Sequence, residues 1–162
     1  MSADRLERIE LRLEVEELYA AYCACLDVPR YEQWPDFFTD DCVYRLVPRE
    51  NHEAGLPLAT LSFESKAMLK DRVYGITHTL FHAPYYQRHI VSGIQVLESG
   101  EHGMRIESNY LVLRTKRNEL PELFNIGRYL DRVVRTGQGL RFAEKHCIFD
   151  SELIPNSIIY PI

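Results

Sequence analysis

Apolar positions recur at helical spacing through the first part of the chain and at strand spacing through the rest. Between Asp4 and Asp27 one stripe carries Leu6, Ile9 and Leu13, and a second, read as adjoining it, carries Leu11, Val15, Leu18, Tyr22 and Leu26. Together they predict a helix with a broad buried face. Asp4 followed by Glu7 has the form of a capping box, and Val28-Pro29 stops the helix because the residue before a proline is pushed out of helical backbone. Tyr31, Trp34 and Phe38 predict a short second helix around Pro35. Thr39-Asp40-Asp41 reads as a turn, Cys42 to Val47 as a short strand ended by Pro48, and Arg49 to Pro57 as a loop. Ala59, Leu61 and Phe63 alternate with polar residues, as in a strand with one face on a core. Ser65 is placed to cap a third helix carrying Met68, Leu69, Val73 and Ile76, ending before Pro84.

Beyond Pro84 the period changes to two. Tyr85 to Leu97 is the first of four long strand-like runs, and Glu98 to Gly103 is a hairpin turn. In Met104 to Lys116, the residues Met104, Ile106, Ser108, Tyr110 and Val112 alternate with Arg105, Glu107, Asn109, Leu111 and Leu113. A loop around Pro121 leads to Leu123–Thr136, and Gly137-Gln138-Gly139 turns the chain into Leu140–Asp150. Helices first and an antiparallel meander afterwards predict an α+β fold, with helices packed on one face of a curved, mostly antiparallel sheet. No repeat, linker or low-complexity tract interrupts the 162 residues, so one domain spanning 1–162 is expected.

The tail departs from the usual polar terminus: Leu153 to Ile162 is mostly apolar. Each Ile or Leu fully buried contributes about 1.5–3 kcal/mol, so the segment is expected to dock on its own sheet or on a partner subunit. Net charge is -5 with no Lys/Arg cluster, which excludes a phosphate-tracking nucleic-acid role. No apolar run approaches the roughly 18–20 residues that span a bilayer, so no membrane partner is expected. The charged amino terminus lacks the apolar core of a secretory signal, predicting a cytoplasmic protein whose four cysteines are reduced. Cys23 and Cys25 point to nearly opposite helix faces and do not form a metal grip.

Few residues are arranged for chemistry. His78 and His82 stand at i, i+4 spacing but lack the glutamate of a zinc-protease helix, and no carboxylate is nominated to complete an iron site. There is no phosphate-binding glycine loop and no Gly-x-Ser-x-Gly elbow. What remains is acid–base chemistry in a pocket enclosed by the sheet, lined by Tyr22, Asp27, Tyr44 and His89. The alternative is that His89 bonds Asp27 or a carbonyl and ties helix to sheet while the tyrosines fill volume.

Four segments carry a family resemblance: Tyr31 to Tyr44, Leu69-Lys70-Asp71-Arg72-Val73, Arg88-His89-Ile90-Val91-Ser92-Gly93, and Gly127 to Val134 running on to Cys147-Ile148-Phe149-Asp150. In series they resemble the small (β) subunit of aromatic-ring-hydroxylating Rieske oxygenases, within the cone-shaped nuclear-transport-factor-2-like superfamily. The resemblance implies a non-catalytic β subunit in an α3β3 hexamer. No cofactor is then expected on this chain, because the large α subunit carries the Rieske [2Fe–2S] cluster and the mononuclear Fe(II). Electrons would come from NAD(P)H through a separate reductase, with or without a ferredoxin. Two departures from the family pattern, Pro84 to Arg88 before the histidine and Gly93 where an asparagine is usual, are closer to the subgroup acting on aromatic carboxylates. Candidate subunit contacts are Arg88, His89, Arg128, Arg132, Ile158, Ile159 and Tyr160. A solvated outer face is the alternative for the arginines. A stand-alone dehydratase or isomerase using Asp27 and His89, or a module binding a small apolar ligand, are the competing functions.

Overall fold

The computed structural model describes residues 3–153 and 157–162, with side chains from Arg5 onward. The elements in order are α1 (Ala3–Asp27), a 3-10 turn (Tyr31–Phe37), β1 (Phe38–Pro48), the single-turn α2 (Arg49–Glu53), β2 (Leu61–Phe63) and α3 (Lys66–Tyr74), which continues into a π turn (Gly75–Thr79). The long strands β3 (Tyr85–Gly100), β4 (Gly103–Lys116), β5 (Glu122–Thr136) and β6 (Gly139–Phe149) follow. They form one six-stranded sheet in the order β2-β1-β6-β5-β4-β3, antiparallel throughout except where β1 runs parallel to β6.

The meander is as the alternation predicts, since Met104, Ile106, Ser108, Tyr110 and Val112 all face inward and are buried. In β5 the inward set is Gly127, Tyr129, Asp131 and Val133. Against this concave face pack Val15, Leu18, Tyr19, Tyr22 and Leu26 of α1, Trp34 of the 3-10 turn, and Leu69, Val73 and Ile76 at α3. Tyr22, Trp34, Phe38, Tyr44 and Phe142 meet edge to face at centroid distances of 5.3–6.2 Å, the geometry that the ring quadrupoles favour. The Ser65 hydroxyl accepts from the Met68 N–H at 3.3 Å and starts α3.

Three local expectations need correction. Leu6, Ile9 and Leu13 are 41%, 41% and 53% exposed rather than part of a broad buried face. At 3.6 residues per turn Leu6 and Leu13 project about opposite Val15, so the two stripes lie back to back and the cone takes only one. Thr39-Asp40-Asp41 is not a turn between elements but an irregularity inside β1, where register slips between the Phe38–Phe142 and Val43–Glu144 pairs. The loop after Pro48 holds the turn α2, closed by an Arg49–Glu53 pair at 3.0 Å. The Asp4 side chain, one half of the expected capping box, lies outside the described side chains.

Gly127 sets how closely β5 and β6 approach. A Cβ there would sit 1.9 Å from the Ile148 carbonyl oxygen and 2.8 Å from Phe149 Cα, both backbone atoms of the neighbouring strand. Gly127→Ala is therefore expected to destabilise the chain by about 3 kcal/mol, the upper end for overpacking, read as a lowered urea midpoint.

Candidate functional site

The sheet curls around the last turns of α1, and there the structure brings Asp27 and His89 together. His89 sits on the inward face of β3 with a fully buried side chain, and its Nδ1 lies 2.7 Å from Asp27 Oδ1. The His89 backbone N–H also donates to the carboxylate, at 3.0 and 3.2 Å to its two oxygens. A carboxylate opposite Nδ1 fixes the proton on that nitrogen, leaving Nε2 buried without a partner. Arg88, on the outward side, is 70% exposed and 3.7 Å from the same carboxylate. The arrangement ties the end of α1 to β3. A cavity of about 350 Å³ lies beside it, lined by Arg12, Glu16, Tyr19, Cys23, His89 and Ser92 among others.

Tyr22 and Tyr44 do not line an open pocket. Both phenols donate to the carbonyl oxygen of Ile162, at 2.8 and 3.2 Å, and the Ile162 N–H donates to Tyr44 at 3.0 Å. The tail thus docks on its own sheet. Arg72 donates to the carbonyls of Ile158 and Ile159 at 3.1 and 2.6 Å, and Tyr160 stacks on Tyr31 at 4.9 Å and bonds His82 Nε2 at 2.8 Å. Ile158 and Tyr160, expected among subunit contacts, are buried in their own chain because these anchors draw them in, while Ile159 stays half-buried. His82 is spent on the tail and His78 stacks on Tyr74, so they do not converge. Among the described residues no group of three or more His, Cys, Asp or Glu is placed to hold a metal ion, a donor set that does not fit a Rieske or mononuclear iron centre.

The residues that sequence reasoning missed lie at the middle of the cone. Lys145 and Asp131 are opposite each other on β6 and β5, both side chains are fully buried, and Lys145 Nζ is 3.0 Å from Asp131 Oδ2. The Tyr19 hydroxyl of α1 donates to the same oxygen. The ammonium lies 3.4 Å from the centre of the Tyr129 ring and within 5.0 Å of the Tyr19, Tyr22 and Phe142 rings. Burial pushes the Asp131 carboxyl up while Lys145 pulls it down, and burial followed by Asp131 pushes the Tyr19 phenol well above 10.0, keeping it a donor. One signal was available for Asp131, which shares parity with Tyr129 and Val133. Lys145 shares parity with Cys147 and Phe149, but the register shift opposite Arg132 and Val133 adds a residue to β6 and flips its alternation against Leu140 and Phe142, which masks that signal.

The arginines of β5 pair within the chain. Arg128 lies 3.4 Å from Glu107 and Arg132 2.9 Å from Glu144 on the outer face, and Arg135 pairs with Glu14 of α1. All four cysteines are free thiols, and burial first of all pushes Cys25 and Cys42 up to about 11 and Cys23 and Cys147 to about 12. Among the described residues, no helix is long and apolar enough to cross a membrane.

Residues 23–156 match the family model described as the ring hydroxylating beta subunit. The chain is 35% identical to the small subunit of anthranilate 1,2-dioxygenase from Burkholderia cepacia, over 96% of this chain and 97% of that one. It is 30% identical to the beta 1 subunit of the terminal oxygenase component of terephthalate 1,2-dioxygenase from Comamonas sp, over 93% and 97%. A solved structure from Novosphingobium aromaticivorans, described as the beta subunit of an aromatic-ring-hydroxylating dioxygenase, superposes with a TM-score of 0.87 at 31% identity, covering 96% of this chain and 99% of that one. The cone is accordingly of the nuclear-transport-factor-2-like kind.

Lys145→Met, which leaves Asp131 buried and unpaired, is expected to cost about 3–5 kcal/mol by urea unfolding. Lys145→Met combined with Asp131→Leu should cost less than the sum of the single changes, since neither charge is then stranded. At pH 8 the native thiols are expected to resist an aromatic disulfide reagent, with a thiolate fraction on the order of one in a thousand or less, and to react once urea opens the fold.

Proposed function

The chain belongs to the ring hydroxylating beta subunit family, and on that premise we propose that it is a structural subunit whose own residues take no part in the oxidation. As the small subunit of an aromatic-ring-hydroxylating dioxygenase it is part of an oxidoreductase complex with a large subunit. The observation that carries the structural reading is the filled cone: Ile162 occupies Tyr22 and Tyr44, and Lys145, Asp131 and His89 have no exposed side-chain surface. A catalytic pocket needs room for its substrate beside the reacting groups, and here Tyr22 and Tyr44 are taken up by Ile162 and Asp27 by His89.

In this reading three copies of the chain, each one domain, join three large subunits as α3β3. The large subunit brings the Rieske [2Fe–2S] cluster and the mononuclear Fe(II). A separate reductase, with or without a ferredoxin, supplies electrons from NAD(P)H. Relatives named for anthranilate and terephthalate support an aromatic carboxylate as substrate. Four free thiols with no disulfide between them support a reducing, cytoplasmic setting. Asp27 and His89 act as a clasp between α1 and β3. Exposed Arg88 and the outer-face Arg128 and Arg132, with half-buried Ile159, are the residues offered to neighbouring subunits.

A competing reading, acid–base catalysis of a dehydration or isomerisation by Asp27 and His89, draws on the partnerless Nε2 beside the cavity of about 350 Å³. That cavity would equally serve a small apolar ligand. His89→Ala separates these readings. The oxygenase assembled with it is expected to turn over within about twofold of the unsubstituted enzyme per assembled complex. The purified chain alone should be colourless, bind no stoichiometric iron and turn over nothing. Iron on the isolated chain, or turnover by it that His89→Ala abolishes with the fold intact, overturns the structural reading.

A further inference from the structure

From Arg5 to Glu14 every residue of α1 except half-buried Leu11 is exposed. The face turned away from the sheet carries Leu6, Ile9 and Leu13 at three- and four-residue spacing, 41%, 41% and 53% exposed. That is the seam spacing of helices lying side by side, with Leu6 and Leu13 in one repeating position and Ile9 in the other. Glu16 takes the next seam position, where it pairs with Arg12 at 2.8 Å and ends the apolar run. Isolated exposed apolar residues are ordinary, but three in register along about 10 Å of helix are a surface that another helix fits.

The charges beside the seam say which helix. The flank preceding each leucine is Arg5 and Arg12, and the flank following the isoleucine turn is Glu10 and Glu17, all four exposed. When two such helices run parallel, each arginine faces the glutamate five residues further along its neighbour, Arg5 to Glu10 and Arg12 to Glu17. When they run antiparallel, arginine faces arginine and glutamate faces glutamate. The helix is therefore complementary to a parallel copy of itself.

We propose that the amino-terminal turns of α1 pair in parallel with the same turns of neighbouring copies of this chain, around a rotation axis running along the helix. This rests on the reading of the chain as one of three small subunits in a larger complex, because three seam residues are fewer than a free-standing coiled coil needs. The pairing orients the copies and adds to contacts made elsewhere in the assembly. Parallel packing sets each residue opposite its own counterpart. Antiparallel packing would set Leu6 opposite Leu13, about 10 Å away along the helix.

The test is oxidative cross-linking of Leu6→Cys in the chain produced together with its large subunit and purified as the complex. A covalent dimer of the small chain is expected from Leu6→Cys and none from Glu7→Cys, which points off the seam, or from the unsubstituted chain. In the Leu6→Cys background, Arg5→Glu or Glu10→Arg alone should lower the dimer yield roughly fivefold, and the two together should restore it. No dimer from Leu6→Cys, equal dimer from Glu7→Cys, an adduct with the large subunit instead, or a double substitution that stays low would each overturn the pairing. Gel filtration of the same samples reports the underlying reading separately. A complex that forms without the dimer removes only the pairing, whereas failure to form any complex removes the subunit reading and the pairing with it.

Discussion

Taking Lys145 and Asp131 out of water costs several kcal/mol per ion, and only close contact with each other and with hydrogen-bond donors offsets it. Here the offset is assembled from three elements at once: Lys145 from β6, Asp131 from β5 and the Tyr19 hydroxyl from α1. A slip of one residue between β5 and β6 would turn one charge outward and strand the other, so the pair fixes register as well as stability. It also fixes the seat of α1, whose tyrosines at 19 and 22 form part of the aromatic wall around the ammonium. Gly127 makes the same demand sterically, since β5 and β6 approach too closely there for any side chain.

Once the cone is set in this way, the chain's own tail closes much of its interior. A curved sheet around a helix ordinarily leaves a hollow at its wide end, and this chain fills the hollow with its own tail. Ile158, Tyr160 and Ile162 are the plug, and Arg72, Tyr85, His82, Tyr22 and Tyr44 hold it through backbone and ring contacts. Tyr22, Tyr44, Arg72 and His82 are thereby engaged within the chain, whereas His89 Nε2 and the Tyr129 hydroxyl are buried without a partner. Asp27 and His89 follow the same logic, closing the seam between α1 and β3.

The outer surface is built differently from one side to the other. Ion pairs across the outer face, Arg128 with Glu107 and Arg132 with Glu144, keep that side polar and ordered. The back of α1 is different in kind, apolar along its seam and oppositely charged along its two flanks. Such a surface suits the proposed role of a small subunit that helps hold an oxygenase assembly in one geometry.

Element types and their order can be read from the residues alone. Period-two alternation in Met104–Val112 placed its inward residues, Ser65 announced α3, and proline marked the ends of α1 and β1, because these depend on local backbone preference and on which residues leave water. The family, too, was legible from motifs in series. The tertiary structure alone decided what those residues meet. Whether Leu6, Ile9 and Leu13 are covered depends on how much helix the cone accepts, and whether the tail docks at home depends on Arg72 and the tyrosines waiting for it. Lys145 was hidden because a bulge shifts the parity of β6, and a bulge is set by the pairing of two strands. Asp27 and His89 could be named from the sequence as partners; that they face each other at 2.7 Å is a distance between residues far apart in the chain, which only the folded sheet fixes.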